Sequence, residues 1–337
     1  MRRPTVSVVL PVLNEEADLE DTLESVVVQS YPEIVEILVA DGGSTDATRE
    51  IAESFPGVRV LDNPGRVQSA GLNVALRAAT GDVVVRVDGH CVLAPDYVQR
   101  CVHALQSTGA AMVGGAMTPV GENASQRGIA AAMRSRIGAG PARFHVGGRP
   151  GPVDTVYLGA YWRELALEVG GYAQDVGVNE DSEFAIRMGR RGTIWFDPSI
   201  RSTYVPRATL RRVARQFFRY GRSRAATVKR HPGSIRPRQM VAPLLVVALA
   251  SPWRKQVLAA YAAGVVGRSL LEATRDPAGA PAFAGALPLM HLSWGAGFWF
   301  GLVSSPKYAA AEPVQLTERP AVEWRAVDWL AEAAPGA

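Results

Sequence analysis

Two short acidic stretches, far apart in the chain, have the residue types that group transfer needs. The first, Asp88-Gly89-His90, ends the apolar run Val83-Val84-Val85-Arg86-Val87. A carboxylate and an imidazole two residues apart can hold a divalent cation: oxygen suits Mg2+, and added nitrogen tilts the choice towards Mn2+. The same triplet also reads as an acidic turn after a strand, with His90 packed beside it. The second stretch, Glu180-Asp181, follows Gly177-Val178-Asn179 and opens a predicted helix. A carboxylate there can take the proton of an attacking hydroxyl, or can merely complement the helix dipole. Between strand and helix nearer the start stands Asp41-Gly42-Gly43-Ser44-Thr45-Asp46, whose Gly42 and Gly43 let the backbone turn sharply and approach a ligand. Arg66 and Gln68 precede a helix facing the same region. Arg66 reads either as a phosphate contact or as a solvated helix-start cation.

The elements that must position these groups alternate. Residues 5–10, 35–40, 58–61 and the Val83 run read as strands, and helices fall between them, the first from Asn14 as cap to about Ser30 and the third over residues 66–79. Strand and helix in strict alternation imply a doubly wound, mostly parallel sheet, with ligands at the carboxyl ends of the strands. A further helix follows Pro95, and residues 111–116 read as a strand. Residues 120–152 are rich in Gly, Ala and Arg without a period and read as a loop over the site. Strands are expected at 153–157, 193–196 and 200–205, and a short helix at 163–169 ended by Gly170-Gly171.

The chain of 337 residues is 47% hydrophobic and 20% charged, with a net charge of +4. That composition is globular with an apolar lean. The positive balance is local: from Arg201 to Arg238 there are eleven Arg and one Lys but no Asp or Glu, whereas the rest of the chain holds all 32 acidic residues. Two cysteines, Cys91 and Cys101, give neither a disulfide framework nor a zinc spacing and fit a reducing compartment. The apolar start after Arg2-Arg3 holds Pro11 and meets Asn14-Glu15-Glu16, so it reads as a strand rather than a signal peptide.

Taken in register, Pro11-Val12-Leu13-Asn14-Glu15, the Asp41–Asp46 loop, Asp88-Gly89-His90, Glu180-Asp181 and Gln216-Phe217-Phe218-Arg219-Tyr220 closely resemble family 2 glycosyltransferases, inverting enzymes of the GT-A fold. The resemblance is to the membrane-associated, succinoglycan-type polysaccharide branch, and covers about residues 4–230. It implies that Pro11, Asn14, Glu15, Asp41 and Gly43 line the nucleotide pocket of a UDP-sugar. It implies that Asp88, with His90 beside it, ligates Mg2+ or Mn2+ on the donor diphosphate, that Asp181 with Glu180 supplies the catalytic base, and that Gln216, Arg219 and Tyr220 border the acceptor and the diphosphate. Two departures stand out. Gly42 and His90 occupy positions where many relatives carry a second acid, which bears on base contacts and on the metal. The implied acceptor is lipid-linked or a polysaccharide. A polyprenyl-phosphate sugar synthase and a non-catalytic nucleotide-sugar-binding membrane scaffold are the rival readings.

The residues after the catalytic region have their own pattern. On a helix predicted over 209–230, Leu210, Val213, Phe217 and Tyr220 share one side and Arg211, Arg212, Arg215, Arg219 and Arg222 crowd the rest, as on a helix lying on an anionic membrane surface. No nucleic-acid recognition motif accompanies the charge. Residues 240–253 and 256–267 are apolar but short, and 277–306 carry no formal charge, reading either as a membrane span or as a helical hairpin buried on the catalytic domain. The expected division is a GT-A catalytic domain at 1–208, a basic interface helix at 209–238, apolar membrane-associated helices at 239–308 and a surface tail at 309–337, with the enzyme on the cytoplasmic face of the inner membrane.

Overall fold

A computed structural model describes residues 2–138, 140, 142–176, 178–206 and 209–304. The expected tail at 309–337, and Gly177 of the predicted helix approach, lie outside the described residues. Strands β1 (Val6–Val12), β2 (Ile34–Asp41), β3 (Val58–Asp62) and β4 (Val83–Arg86) alternate with helices α1 (Leu19–Val27), α2 (Thr48–Ser54) and α3 (Gln68–Ala78). Then come β5 (Cys91–Leu93), α4 (Tyr97–Thr108), β6 (Met112–Pro119), α5 (Ala124–Arg134), α6 (Arg143–Val146), β7 (Gly151–Pro152), β8 (Tyr157–Trp162), α7 (Arg163–Glu168), α8 (Glu180–Met188) and β9 (Ile194–Tyr204). The last helices are α9 (Leu210–Arg230), α10 (Val241–Leu249), α11 (Arg254–Ala273) and α12 (Ala280–Ser304), with a 3-10 turn at Pro237–Met240 before α10.

One nine-stranded mixed sheet runs in the order β3-β2-β1-β4-β8-β6-β9-β5, with β7 paired to β9. Its first four strands are parallel, and Val8 of β1 lies between Ile37 and Val85. The chain order reverses at β1, and a crevice for a ligand opens at such a switch. Alternate residues of β1 serve opposite faces: Val8 and Leu10 pack with Leu19, Leu23 and Val98, and Val9 packs with Leu72, Leu76, Phe184 and Met188. Burial on both sides is why the central strands β1 and β4 read as nearly continuous apolar runs.

Several expectations are corrected. Asn14 does not cap α1, which begins at Leu19 after Asp18. Asn14 adopts a left-handed backbone (φ 55°) and turns its Oδ1 to the Thr45 amide at 2.9 Å, fastening the β1 loop to the β2 loop. The expected loop at 120–152 contains α5, started by a capping box in which Asn123 accepts from the Gln126 amide and Gln126 returns the bond. The strand expected at 153–157 falls at Tyr157–Trp162, where Leu158 and Gly159 have positive φ and break the alternation that marks a strand. The two strands expected at 193–205 are one, Ile194–Tyr204, carried through Pro198 with a shift of register against β6 between Gly114 and Ala116.

α9 starts as expected, with the Thr209 hydroxyl accepting from the Arg212 amide. Its apolar side does not face outwards. Val213 and Phe217 are buried with Ile129 and Met133 of α5 and Phe283, Leu287 and Met290 of α12 in a third core. Gly221 makes this close approach possible, because a Cβ there would fall on the carbonyl of Trp294. α12, with Pro288 inside it, is long and apolar enough to cross a membrane, the only such helix among the described residues.

Candidate active site

A cavity of about 1820 Å³ opens at the carboxyl ends of β1 and β4 and extends to α8, α9 and the apolar helices. It brings together most of the residues singled out from the sequence: Pro11, Glu15, Arg66, Asp88, His90, Glu180, Asp181, Gln216, Arg219 and Tyr220 all line it. Asn14, Asp41 and Gly43 do not line the cavity. Asp41 is buried and spends Oδ1 on the Ser44 hydroxyl at 2.6 Å and the Ser44 amide at 3.1 Å. The Gly43 carbonyl accepts from Arg66 at 3.5 Å, so this loop reaches the cavity through the Arg66 side chain. Gly89 fits closely under the β1 loop: a Cβ there would lie 3.1 Å from Val12 Cγ1 and 3.2 Å from Glu15 Cγ, so those side chains would have to give by a few tenths of an ångström.

The centre of the site is a residue that motif reading passes over. Arg86, at the end of β4, is 4% exposed and pairs through Nε with Asp88 Oδ1 at 3.0 Å and through Nη2 with Glu180 Oε1 at 3.1 Å. Gln68, the first residue of α3, donates to the same Asp88 oxygen at 3.0 Å. Burial alone would discourage the guanidinium charge, but Asp88 and Glu180 outweigh it and hold the group well above its usual range. The Arg86 Nη1 is buried with no hydrogen-bond partner among the described residues. The one available signal was a lone cation in a run of valines, since a buried charge needs a counter-charge from elsewhere in the fold.

Glu180 and Asp181 differ in environment. Glu180 is 3% exposed and committed to Arg86, yet burial still pushes its carboxyl up to about 7. Asp181 is half-buried at the cavity, and among the described residues its carboxylate makes no ion pair; Oδ1 accepts from the Ser182 amide at 2.7 Å. Burial raises it as well, with Arg86 opposing. A raised carboxylate that faces a cavity without a cation locked on it is suited to take a proton.

The chain before this pair is braced by α9. Asn179 has φ 63° and donates through Nδ2 to the Tyr220 carbonyl at 3.2 Å. The Ser223 hydroxyl donates to the carbonyls of Val176, at 2.7 Å, and Val178. Arg230 grips Asp175 at 2.8 Å. Behind α8, fully buried Glu183 accepts from Arg187 at 2.6 Å and meets His231 Nε2 at 2.8 Å. Arg190 can only donate to His231 Nδ1, at 3.0 Å, so the imidazole presents an Nε2 hydrogen to Glu183. Burial would raise Glu183, but these partners prevail and hold its carboxyl down to about 2. Sequence reading missed this cluster because its members sit at helix positions that also suit solvated charges. Gln216 donates to the Tyr220 hydroxyl at 2.8 Å, fixing that ring at the cavity wall.

The residues present fit a divalent cation only as part of its shell. Both side-chain bonds to Asp88 fall on Oδ1, which leaves Oδ2 for a cation, and His90 stands two residues on with its Nδ1 at 3.2 Å from Glu15 Oε1. No cluster of three or more His, Cys, Asp or Glu suited to a metal occurs among the described residues. A cation held here would need oxygens from a ligand, as Mg2+ commonly takes from substrate phosphates.

Comparison with known proteins agrees with this geometry. Residues 7–170 match the family described as Glycosyl transferase family 2. The chain is 36% identical over 308 residues to the succinoglycan biosynthesis protein ExoA of Rhizobium meliloti (strain 1021), covering 87% of this chain and 93% of that one. It is 26% identical over 239 residues, 67% of this chain and 74% of the other, to a dolichyl N-acetyl-alpha-D-glucosaminyl phosphate 3-beta-D-2,3-diacetamido-2,3-dideoxy-beta-D-glucuronosyltransferase of Methanococcus voltae. Among solved structures, the mannosyltransferase PcManGT from Pyrobaculum calidifontis, in complex with GDP-Man and Mn2+, shares the GT-A fold with a TM-score of 0.61 at 22% identity, covering 89% of this chain and 88% of that one. The chain therefore belongs to glycosyltransferase family 2 and is a glycosyltransferase.

Proposed function

We propose that the enzyme transfers a sugar from a nucleoside diphosphate donor, UDP by preference, to a hydroxyl of a lipid-linked or polysaccharide acceptor, with inversion at the anomeric carbon. The observation that carries this reading is the shared cavity of Asp88 and Asp181, joined through Arg86 and Glu180. The donor lies with its base against Pro11 and Glu15, on the loop that Asn14 fastens to the Asp41 loop, and its diphosphate towards Asp88, Arg66 and Arg219. Mg2+ or Mn2+ on Asp88 and His90 supplies neutralising charge for the diphosphate. Asp181 takes the proton of the acceptor hydroxyl, whose oxygen bonds to the anomeric carbon as the bond from that carbon to the diphosphate oxygen breaks. Direct displacement of this kind inverts the anomeric centre. Glu180, held by Arg86, fixes the helix start that aims Asp181.

The relatives support the acceptor class: one serves succinoglycan biosynthesis and another is named for a dolichyl-linked sugar phosphate. The exposed apolar side chains of α10 to α12, among them Val241, Leu244, Leu258, Leu270 and Val303, with Trp253 just before α11, support attachment to the membrane, with the cavity on its cytoplasmic face. Asp181→Asn tests the reading. It should abolish metal-dependent release of nucleoside diphosphate from the donor while binding UDP as tightly as the parent. An unchanged turnover, or NMR of the product showing the donor's anomeric configuration retained, removes Asp181 from its role.

A further inference from the structure

Asp181 stands on a helix whose start does little to aim it. α8 has nine residues, and its cap, Asn179, makes no side-chain capping bond and turns its amide to the Tyr220 carbonyl instead. Arg86 holds the first residue through Glu180. The next polar hold is Glu183, two residues beyond Asp181 and so about 200° round the helix from it. Phe184 and Met188 pack in the core with Val9, but apolar packing is non-directional and permits a small turn about the helix axis. Hydrogen bonds to the fully buried Glu183 carboxylate do not. One of its partners, Arg187, belongs to α8 and turns with it. The other, His231, caps the end of α9 and so ties α8 to a second element. Its imidazole grips α8 at two places: Nε2 meets Glu183 at 2.8 Å, and Nδ1 meets Arg190, just past the helix end, at 3.0 Å.

The structure assigns His231 as a positioning residue for the base: through Glu183 it sets the rotation of α8 at which Asp181 faces the reacting hydroxyl. His231 and Glu183 do not line the cavity, so they act on the reaction only through Asp181. The assignment rests on Asp181 as the base in the reading above. A side-chain carboxylate on a helix stands about 5–6 Å from the axis, so a turn of about 10° carries it about 1 Å. A misplacement of about 1 Å can cost about a hundredfold in rate. The donor side of the cavity, with Pro11, Gln68 and Asp88, is built on β1, α3 and the end of β4, which do not turn with α8. Loss of the His231 bond should therefore slow the chemical step and spare donor binding.

The test compares His231→Gln and His231→Asn in the full chain. A Gln amide can place a donor where Nε2 lies, whereas an Asn amide reaches only as far as Nδ1 and leaves Glu183 without it. Turnover is read as Mn2+-dependent UDP release, with water as acceptor, from whichever of UDP-glucose, UDP-galactose and UDP-N-acetylglucosamine the parent hydrolyses fastest. Rates are divided by the number of UDP sites counted by calorimetry, which removes any unfolded fraction. His231→Asn should lower kcat per site by about ten- to a hundredfold with donor KM and UDP Kd within about twofold of the parent, and His231→Gln should keep most of kcat. Tyr31→Phe, which loses a buried bond to the Pro4 carbonyl at the amino end of β1, controls for stability alone and should leave kcat per site unaltered. A second readout needs no donor: in Asp181→Cys, the only reactive thiol beside the buried Cys91 and Cys101, the rate of maleimide labelling should change by at least about threefold on adding His231→Asn but not His231→Gln. Equal kcat per site in the two His231 variants, UDP affinity falling in step with kcat, or an unchanged labelling rate would overturn the proposal. Asp181→Asn in the turnover assay separates the two conclusions: retained turnover there speaks against the base reading, whereas lost turnover there with His231→Asn unaffected speaks against this one alone.

Discussion

Replacing Arg86 by Met keeps much of its bulk and removes its charge. Asp88 and Glu180 would then lie buried with neither ion pair, at positions fixed by β4 and α8. Removing one partner of a buried pair costs about 3–5 kcal/mol, a large fraction of the roughly 5–15 kcal/mol that holds a typical domain. The loss should depend on pH. Glu180 is raised by burial to about 7 even with Arg86 opposing, so without Arg86 it rises further. A carboxyl raised in the folded state binds more protons folded than unfolded between its unfolded value, about 4.3, and its folded one, and stability falls as pH rises through that window. The parent shares this slope up to about 7, so the deficit of Arg86→Met should be nearly constant from about pH 5 to 7 and grow from there towards about pH 8. Denaturant unfolding of parent and variant at both ends of the range measures it. Arg86→Lys should recover part of the loss, since it restores the charge but not the fork that spans two carboxylates. A deficit below about 1 kcal/mol at the alkaline end, or one that does not change with pH, would refute the account of Arg86 as the charge that permits both acids to be buried.

Glu183→Gln should cost about 3 kcal/mol in denaturant unfolding, because Arg187 and His231 lose their shared acceptor charge inside the protein. In the parent, Glu183 is depressed to about 2, so its contribution is complete above the unfolded value of about 4.3 and fades as pH falls towards about 2. The variant should therefore lose the corresponding part of the acid transition, and an identical acid limb in both proteins would contradict the assignment. Gly221→Val puts side-chain atoms where the Trp294 carbonyl lies and should part α9 from α12, seen as a lowered thermal midpoint and faster proteolysis between α9 and α10; an unaltered digestion pattern would speak against that packing. Asp88→Asn should weaken UDP binding in the presence of Mn2+ by about tenfold while changing metal-free binding little, by calorimetry. Equal weakening with and without Mn2+ would place Asp88 on the nucleotide rather than on the cation.

What could be read from the sequence, and what could not, follows from which interactions are local. The parallel half of the sheet was legible because strands buried on both faces must be apolar nearly throughout, as Val6–Val12 is but for Ser7 and Val83–Val85 is throughout, and because glycine-rich turns punctuate them. α5 was illegible by periodicity: its core side is Ile129, Ala132 and Met133 amid Ala and Gly, and only the Asn123 and Gln126 pairing announces it. In α9 the apolar stripe itself was plain, but amphipathicity states that a face must be covered and not by what. Lipid and another apolar helix satisfy the same stripe, and here α12 does so, which moves any contact with the membrane to α10, α11 and the outer side of α12. The junction of Asp88 with Glu180 and Asp181 is non-local and had no motif of its own. Yet Arg86 in a run of buried valines already required carboxylates to come to it, since an unpaired guanidinium could not remain there. Asp88, two residues on, could meet one side of its fork. The other side needed an acid from a distant element, and the Glu180-Asp181 helix start is the place where burying one carboxylate on Arg86 leaves its neighbour facing the cavity.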